Sequence, residues 1–163
     1  MKEEPLFYEE QKFTQWWLWL LLLAPIVILF YTLVKPILED PNQGNGNFSF
    51  SLISSNDFWI LLGLMLVVLI LFILLKLKTT LSQDYIQVSF FPFFTKKWNW
   101  SEINTADIVT YGFVGYGIRL SLKYGTVYNI KGNHGLAIHL KNGKKLMVGT
   151  QKPEELANVI KNK

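Results

Sequence analysis

The 163-residue chain has no cysteine, a single arginine and only two histidines. Without thiols there can be no disulfide, no thiolate nucleophile and no zinc–cysteine site, and the redox compartment leaves no mark on the sequence. His134 lies in a Gly-Asn-His-Gly turn and His139 on a strand-like run. The acids nearest them in sequence are distant, so neither a metal site nor a cofactor is expected. Charge is scarce as well, at 17% of residues. It is missing altogether from two long stretches, 16–34 and 58–75.

Those stretches are each about the length a helix needs to cross a bilayer, since roughly 20 residues rising about 1.5 Å each span some 30 Å of hydrocarbon. A soluble core helix of that length carries a polar face, and these carry almost none. The sequence therefore predicts an integral membrane protein. The first stretch opens with Trp16, Trp17 and Trp19, indoles that favour the headgroup boundary. Pro25 predicts a kink, and Lys35-Pro36 an end to the span. A signal peptide does not fit, because the preceding segment is acidic and the run too long. Neither span contains an ionisable residue, which argues against an ion or proton pathway. No small-xxx-small packing motif is present.

The organisation that follows is an N-terminal segment at 1–15, helix one at 16–34, a connection at 35–57, helix two at 58–75 and a C-terminal domain at 79–163. Pro36, Pro41, Gly44 and Gly46 punctuate the connection. Within it, residues 48–52 alternate as a short extended piece and 47–49 match a glycosylation sequon. Ser54, Ser55 or Asn56 can cap helix two, with Asp57 near the positive end of its dipole. Lys76 and Lys78 follow that helix, with only Lys35 in the connection. The positive-inside rule then puts both termini in the cytoplasm and the connection outside. Charge is split accordingly. Residues 1–75 hold three basic and seven acidic side chains, and residues 76–163 thirteen and five, within an overall +4.

The C-terminal part reads as β-structure. Seven strand-like runs alternate between turn signals: 85–90, 93–100, 103–111, 118–122, 126–131, 136–140 and 145–148. Asn142-Gly143 predicts a type I′ hairpin. Helical spacing returns only after Pro153, where Leu156, Val159 and Ile160 share a face and Glu154 and Glu155 suit the first turn.

Candidate contacts for an anion or partner are Lys96 and Lys97 beside Trp98 and Trp100, Lys123 and Lys131 around Tyr124 and Tyr128, and Arg119. Lysine–aromatic alternation is also what a plain solvated sheet face looks like, and Arg119 has Asp107 or Glu102 as structural partners in prospect. Gly115-Tyr116-Gly117 lacks the third glycine and the following helix of a phosphate loop, so a tight turn is the expectation. The serines have no nucleophile-elbow context, and Asp84, Glu102 and Asp107 have no spacing that makes a carboxylate pair. No enzyme activity and no nucleic-acid partner are expected.

Three stretches resemble one family. They are Trp98-Asn99-Trp100-Ser101-Glu102-Ile103, Gly115-Tyr116-Gly117-Ile118-Arg119, and the run from Gly143 through Gly149-Thr150 to Pro153-Glu154-Glu155-Leu156. The chain is similar there to the bacterial pleckstrin-homology-like (PH-like) family of small membrane proteins with two N-terminal helices. The resemblance implies an α+β membrane protein of the bacterial cytoplasmic membrane. A two-helix transmembrane hairpin would precede a PH-like seven-stranded, partly open β-barrel capped by the C-terminal helix. It implies a binding or scaffolding module at the cytoplasmic face, contacting a protein partner or anionic lipid headgroups. The alternative is an accessory subunit of a membrane enzyme or transporter whose chemistry lies in a partner.

Overall fold

The computed structural model describes residues 4–39, 56–112 and 115–162. The predicted extended piece at 48–52, the sequon and the caps Ser54 and Ser55 lie outside them. The chain divides into two compact units, one made of 14–73 and the other of 1–13 together with 74–163.

The first unit contains helices α1 (Trp16–Glu39) and α2 (Asn56–Leu74). Both are long and apolar enough to cross a membrane, and none of their apolar windows is buried. Asp57 lies in the first turn of α2, where a carboxylate meets the positive end of the helix dipole. Helix α1 runs on through Pro25 and Pro36 to Glu39. Proline's fixed φ is compatible with a helix, although an interior proline removes one amide donor and crowds the carbonyl four residues back; the apolar span itself ends at Lys35.

The second unit is an open, mixed β-structure of nine strands among the described residues. An antiparallel sheet has the order β1 (Phe7–Lys12), β2 (Lys76–Leu81), β3 (Tyr85–Phe91), β4 (Phe94–Asn99). A 3-10 turn, Trp100–Glu102, carries the chain to the other sheet. Its strands are β5 (Ile103–Thr110), β6 (Gly117–Ser121), β7 (Gly125–Asn129), β8 (His134–Leu140) and β9 (Lys145–Thr150), in the order β5-β8-β9-β7-β6. Helix α3 (Pro153–Lys161) closes the chain.

This corrects the expected seven-stranded PH-like barrel. A barrel needs one hydrogen-bonded ladder that returns to its first strand. Here the ladders stop at β1, β4, β5 and β6, and no strand belongs to both sheets. Strands β7 and β9 also pair in parallel, with β8 as the crossover, which interrupts any meander. The seven strands read from the sequence are β3 to β9. The two others flank the helices. Strand β1 precedes α1, β2 follows α2, and the two pair antiparallel with Lys12 opposite Lys76. Topologically, α1 and α2 are an insertion in the turn of a β-hairpin. Lys76 and Lys78, read from the sequence as the end of helix two, are two of the three outward positions of β2.

Period-two alternation sorts the first sheet. Phe7, Leu77, Leu81, Ile86, Val88 and Phe90 are buried on its inner face. Each such side chain contributes about 1.5–3 kcal/mol of burial. Opposite them the second sheet buries Tyr128, Leu136, Ile138, Leu146 and Val148. Two inward positions of β1 are polar, Glu9 and Gln11, and both are buried. Glu9 Oε2 accepts from the Thr150 hydroxyl at 2.6 Å and Oε1 from the Gln151 amide at 2.8 Å. Gln11 Nε2 donates to the Gly149 carbonyl at 2.7 Å. Hydrogen bonds to a charged group are worth about 1.5–3 kcal/mol, so these contacts fasten β1 to the end of β9.

Helix α3 packs against β5 and β1. Pro153 sits in its first turn, Glu154 and Glu155 follow, and Lys161 lies in the last turn. Leu156 is fully buried, while Val159 and Ile160 are half-buried. The β8–β9 turn differs from the expected type I′. Gly143 alone has positive φ, +82°, its amide donates to the Leu140 carbonyl, and Asn142 Oδ1 accepts the Lys144 amide. A longer loop with one left-handed glycine replaces the two-residue turn.

Candidate functional site

Strand β4 is an edge of the first sheet, and its alternation sends consecutive lysines to opposite faces. Lys96 is turned inward beside Phe94 and Trp98, and donates to the Tyr128 hydroxyl of β7 at 3.3 Å. Its ammonium also lies 5.3 Å from the Phe94 ring centroid. Lys97 is turned outward, 3.4 Å from the centroid of Tyr85. The expected Lys96–Lys97 pair is therefore split, with one lysine lining each of two neighbouring clefts.

Trp98 separates two neighbouring open clefts. One, of about 510 Å³, lies among Lys97, Trp98, Ser101, Glu102 and the β8–β9 turn with Lys141, Asn142 and Lys144. The other, of about 400 Å³, runs between Lys96 and Trp98 on one side and Leu120, Tyr128, Lys144, Lys145 and Leu146 on the other. Together they form a groove with five ammonium groups and one carboxylate, Glu102, among its lining residues. Glu102 is itself engaged, accepting the Asn99 amide at 3.0 Å. Trp98, Leu120, Tyr128, Leu140 and Leu146 also line it. Lysines are flexible point charges without Arg-like fork geometry, so the groove suits an extended anionic surface better than a single oriented phosphate.

The remaining candidates stand elsewhere. Arg119, on edge strand β6, folds back over Gly115 and donates Nε to the Tyr116 carbonyl at 3.0 Å. That contact lies within its own turn, where Gly115 and Gly117 have φ of +83° and +85°. Lys123, in the β6–β7 turn, lies 5.0 Å from the Tyr124 ring centroid. Lys131 is exposed in the turn after β7. The structure thus brings Lys96 and Lys97 to the groove and leaves Arg119, Lys123 and Lys131 off it. Lys141, Lys144 and Lys145 were missed. Their signal was the density of lysine around Asn142-Gly143, which is also ordinary turn composition.

A second charged cluster lies on the outer face of the first sheet. Glu10 is 3.4 Å from Lys12, 3.5 Å from Lys76 and 3.3 Å from Lys78. Desolvation pushes its carboxyl up, but hydrogen bonds from Lys78 and Lys12 and the charge of Lys76 outweigh it and hold the group below the usual glutamate range.

On the outer face of the second sheet, Tyr111 packs with Val127 and Met147 and crosses the Gly135–Gly149 pair. Burial pushes its phenol up to about 12. A β-carbon at Gly149 would collide with Asn129 Oδ1 and stand 3.3 Å from the Tyr111 hydroxyl.

Among the described residues no group of three or more His, Asp or Glu side chains could hold a metal ion. Comparison with protein-family models, with curated proteins and with solved structures finds no match.

Proposed function

We propose that the chain is a membrane-anchored, non-enzymatic binding module whose β-domain stands at the cytoplasmic face and offers its lysine groove to an acidic protein partner. The observation that carries this is the β1–β2 pairing. The chain leaves the sheet after Lys12 and re-enters it at Lys76, and these residues are register partners. Two unburied apolar helices inserted at one point of one domain cross a bilayer an even number of times and return the chain to the side it left. Lys76 and Lys78 follow α2 directly, within reach of the positive-inside rule, and favour the cytoplasmic side.

Position within the domain favours a protein partner over the anionic lipid of the same membrane. The Lys141 amide donates to the Glu102 carbonyl, so the β8–β9 turn lies beyond the far end of β4. Six residues at about 3.3 Å each put that end roughly 20 Å along the strands from the helix attachments. Headgroup charge decays within a Debye length of about 8 Å at physiological salt.

The chain has no native cysteine, so single cysteines test the orientation directly. Asn45, outside the described residues, should react with an impermeant thiol reagent in intact cells. Asn142, in the groove, should react only after permeabilisation. The reverse pattern would put the groove outside the cell and overturn the reading.

A further inference from the structure

We infer that the β3–β4 turn, Phe91-Pro92-Phe93, is a third point of contact with the bilayer, dipping its two phenylalanine rings into the headgroup–acyl boundary. This rests on the membrane anchoring proposed above. The register carries it. Phe91 of β3 is the partner of Lys76 in β2, which is in turn the partner of Lys12 in β1. Adjacent strands stand about 4.8 Å apart. The turn therefore lies one strand from the residue at which the chain returns from α2, and at the same end of the sheet. The chain leaves for α1 and returns from α2 at that end of the sheet.

The turn has the chemistry for that position. Phe91 and Phe93 are large apolar side chains left 47% and 58% exposed. Phe93 is held rather than loose. Its amide donates to the Phe90 carbonyl at 2.8 Å, and its ring stacks on that of buried Phe90, with centroids 6.3 Å apart. Exposed rings at a turn gain nothing from water, whereas the bilayer boundary accepts apolar rings with charged residues just above them. Lys12, Lys76 and Lys78 supply that charge. Against Glu10 they leave a net two positive charges at this end of the sheet, complementary to anionic headgroups, each worth about 1 kcal/mol near such a surface.

The test uses the full-length protein in vesicles of mixed neutral and anionic phospholipid, with an environment-sensitive fluorophore on a single cysteine at Leu23, Phe91, Phe93 or Asn142. Lipids carrying a spin-label quencher either near the headgroup or deep in the acyl chain report depth. The label at 23 should be quenched by the deep probe. Labels at 91 and 93 should be quenched by the shallow probe several-fold more than the label at 142. If 23 is quenched while both 91 and 93 behave like 142, the turn does not touch lipid and the inference falls with anchoring intact. If 23 is not quenched, the anchoring itself falls, and the inference with it. Two separate positions in the turn guard against one substitution disturbing it.

Discussion

Strand β1 is separated in sequence from the rest of its sheet by the whole of 14–73, so its contribution to folding can be measured by leaving it out. A fragment 79–163 retains β3 to β9 and α3 but loses β1 and the start of β2. The buried side chains removed with them are Phe7, Phe13, Leu75 and Leu77. At about 1.5–3 kcal/mol each, their burial amounts to roughly 6–12 kcal/mol, against a total stability of about 5–15 kcal/mol for a domain of this size. The Thr150 hydroxyl would also lose the Glu9 carboxylate, and the Gly149 carbonyl the Gln11 amide. Fragment 79–163 is therefore expected to be unfolded or molten. The matched comparison joins 1–13 to 75–163 through Asn-Gly. Lys12 and Lys76 are register partners, so the two flanking residues can close a two-residue hairpin. That polypeptide should fold cooperatively. Dispersed amide resonances and a sharp thermal transition are the assay. A cooperative transition of 79–163 at the same midpoint as the joined polypeptide would refute the placement of β1 in the core.

Two further outcomes follow from single side chains. Leu156→Ala in the full-length protein in detergent should cost about 2–5 kcal/mol and lower the β-domain's thermal midpoint by many degrees. Exposed Asn158→Ala should stay within about 0.5 kcal/mol, and equal effects would deny α3 a part in the core. Tyr111 holds its proton to about pH 12 when folded, whereas an unfolded tyrosine releases it near pH 10. Above pH 10 the unfolded state binds fewer protons, so stability that is complete below that pH falls by about 1.4 kcal/mol per unit up to about pH 12. Tyr111→Phe should flatten that stretch of the stability–pH curve, and an unchanged slope would place the phenol in water.

The sequence by itself determined the local elements. Uncharged runs long enough to span a bilayer become α1 and α2, because a helix is the conformation that satisfies every backbone polar group without outside partners. Alternation, as in Tyr85 to Phe90 or Ile118 to Leu122, marked β3 to β9, and Pro153 with the two glutamates marked the start of α3. Only the tertiary structure decided how those strands join. Alternation says which face a residue takes but not which strand lies beside it, so an open pair of sheets with β7 parallel to β9 and a closed barrel present the same pattern. Strand β1 escaped notice because two of its three inward positions, Glu9 and Gln11, are polar, and their partners at Gly149, Thr150 and Gln151 are supplied from the far end of the chain. Strand β2 escaped because Lys76 and Lys78 adjoin an apolar run and match lysines at a helix end. The groove was half legible for the same reason. Lys96 and Lys97 stood out beside tryptophan, whereas Lys141, Lys144 and Lys145 became part of it only when the Lys141 amide found the Glu102 carbonyl and set the β8–β9 turn against the end of β4.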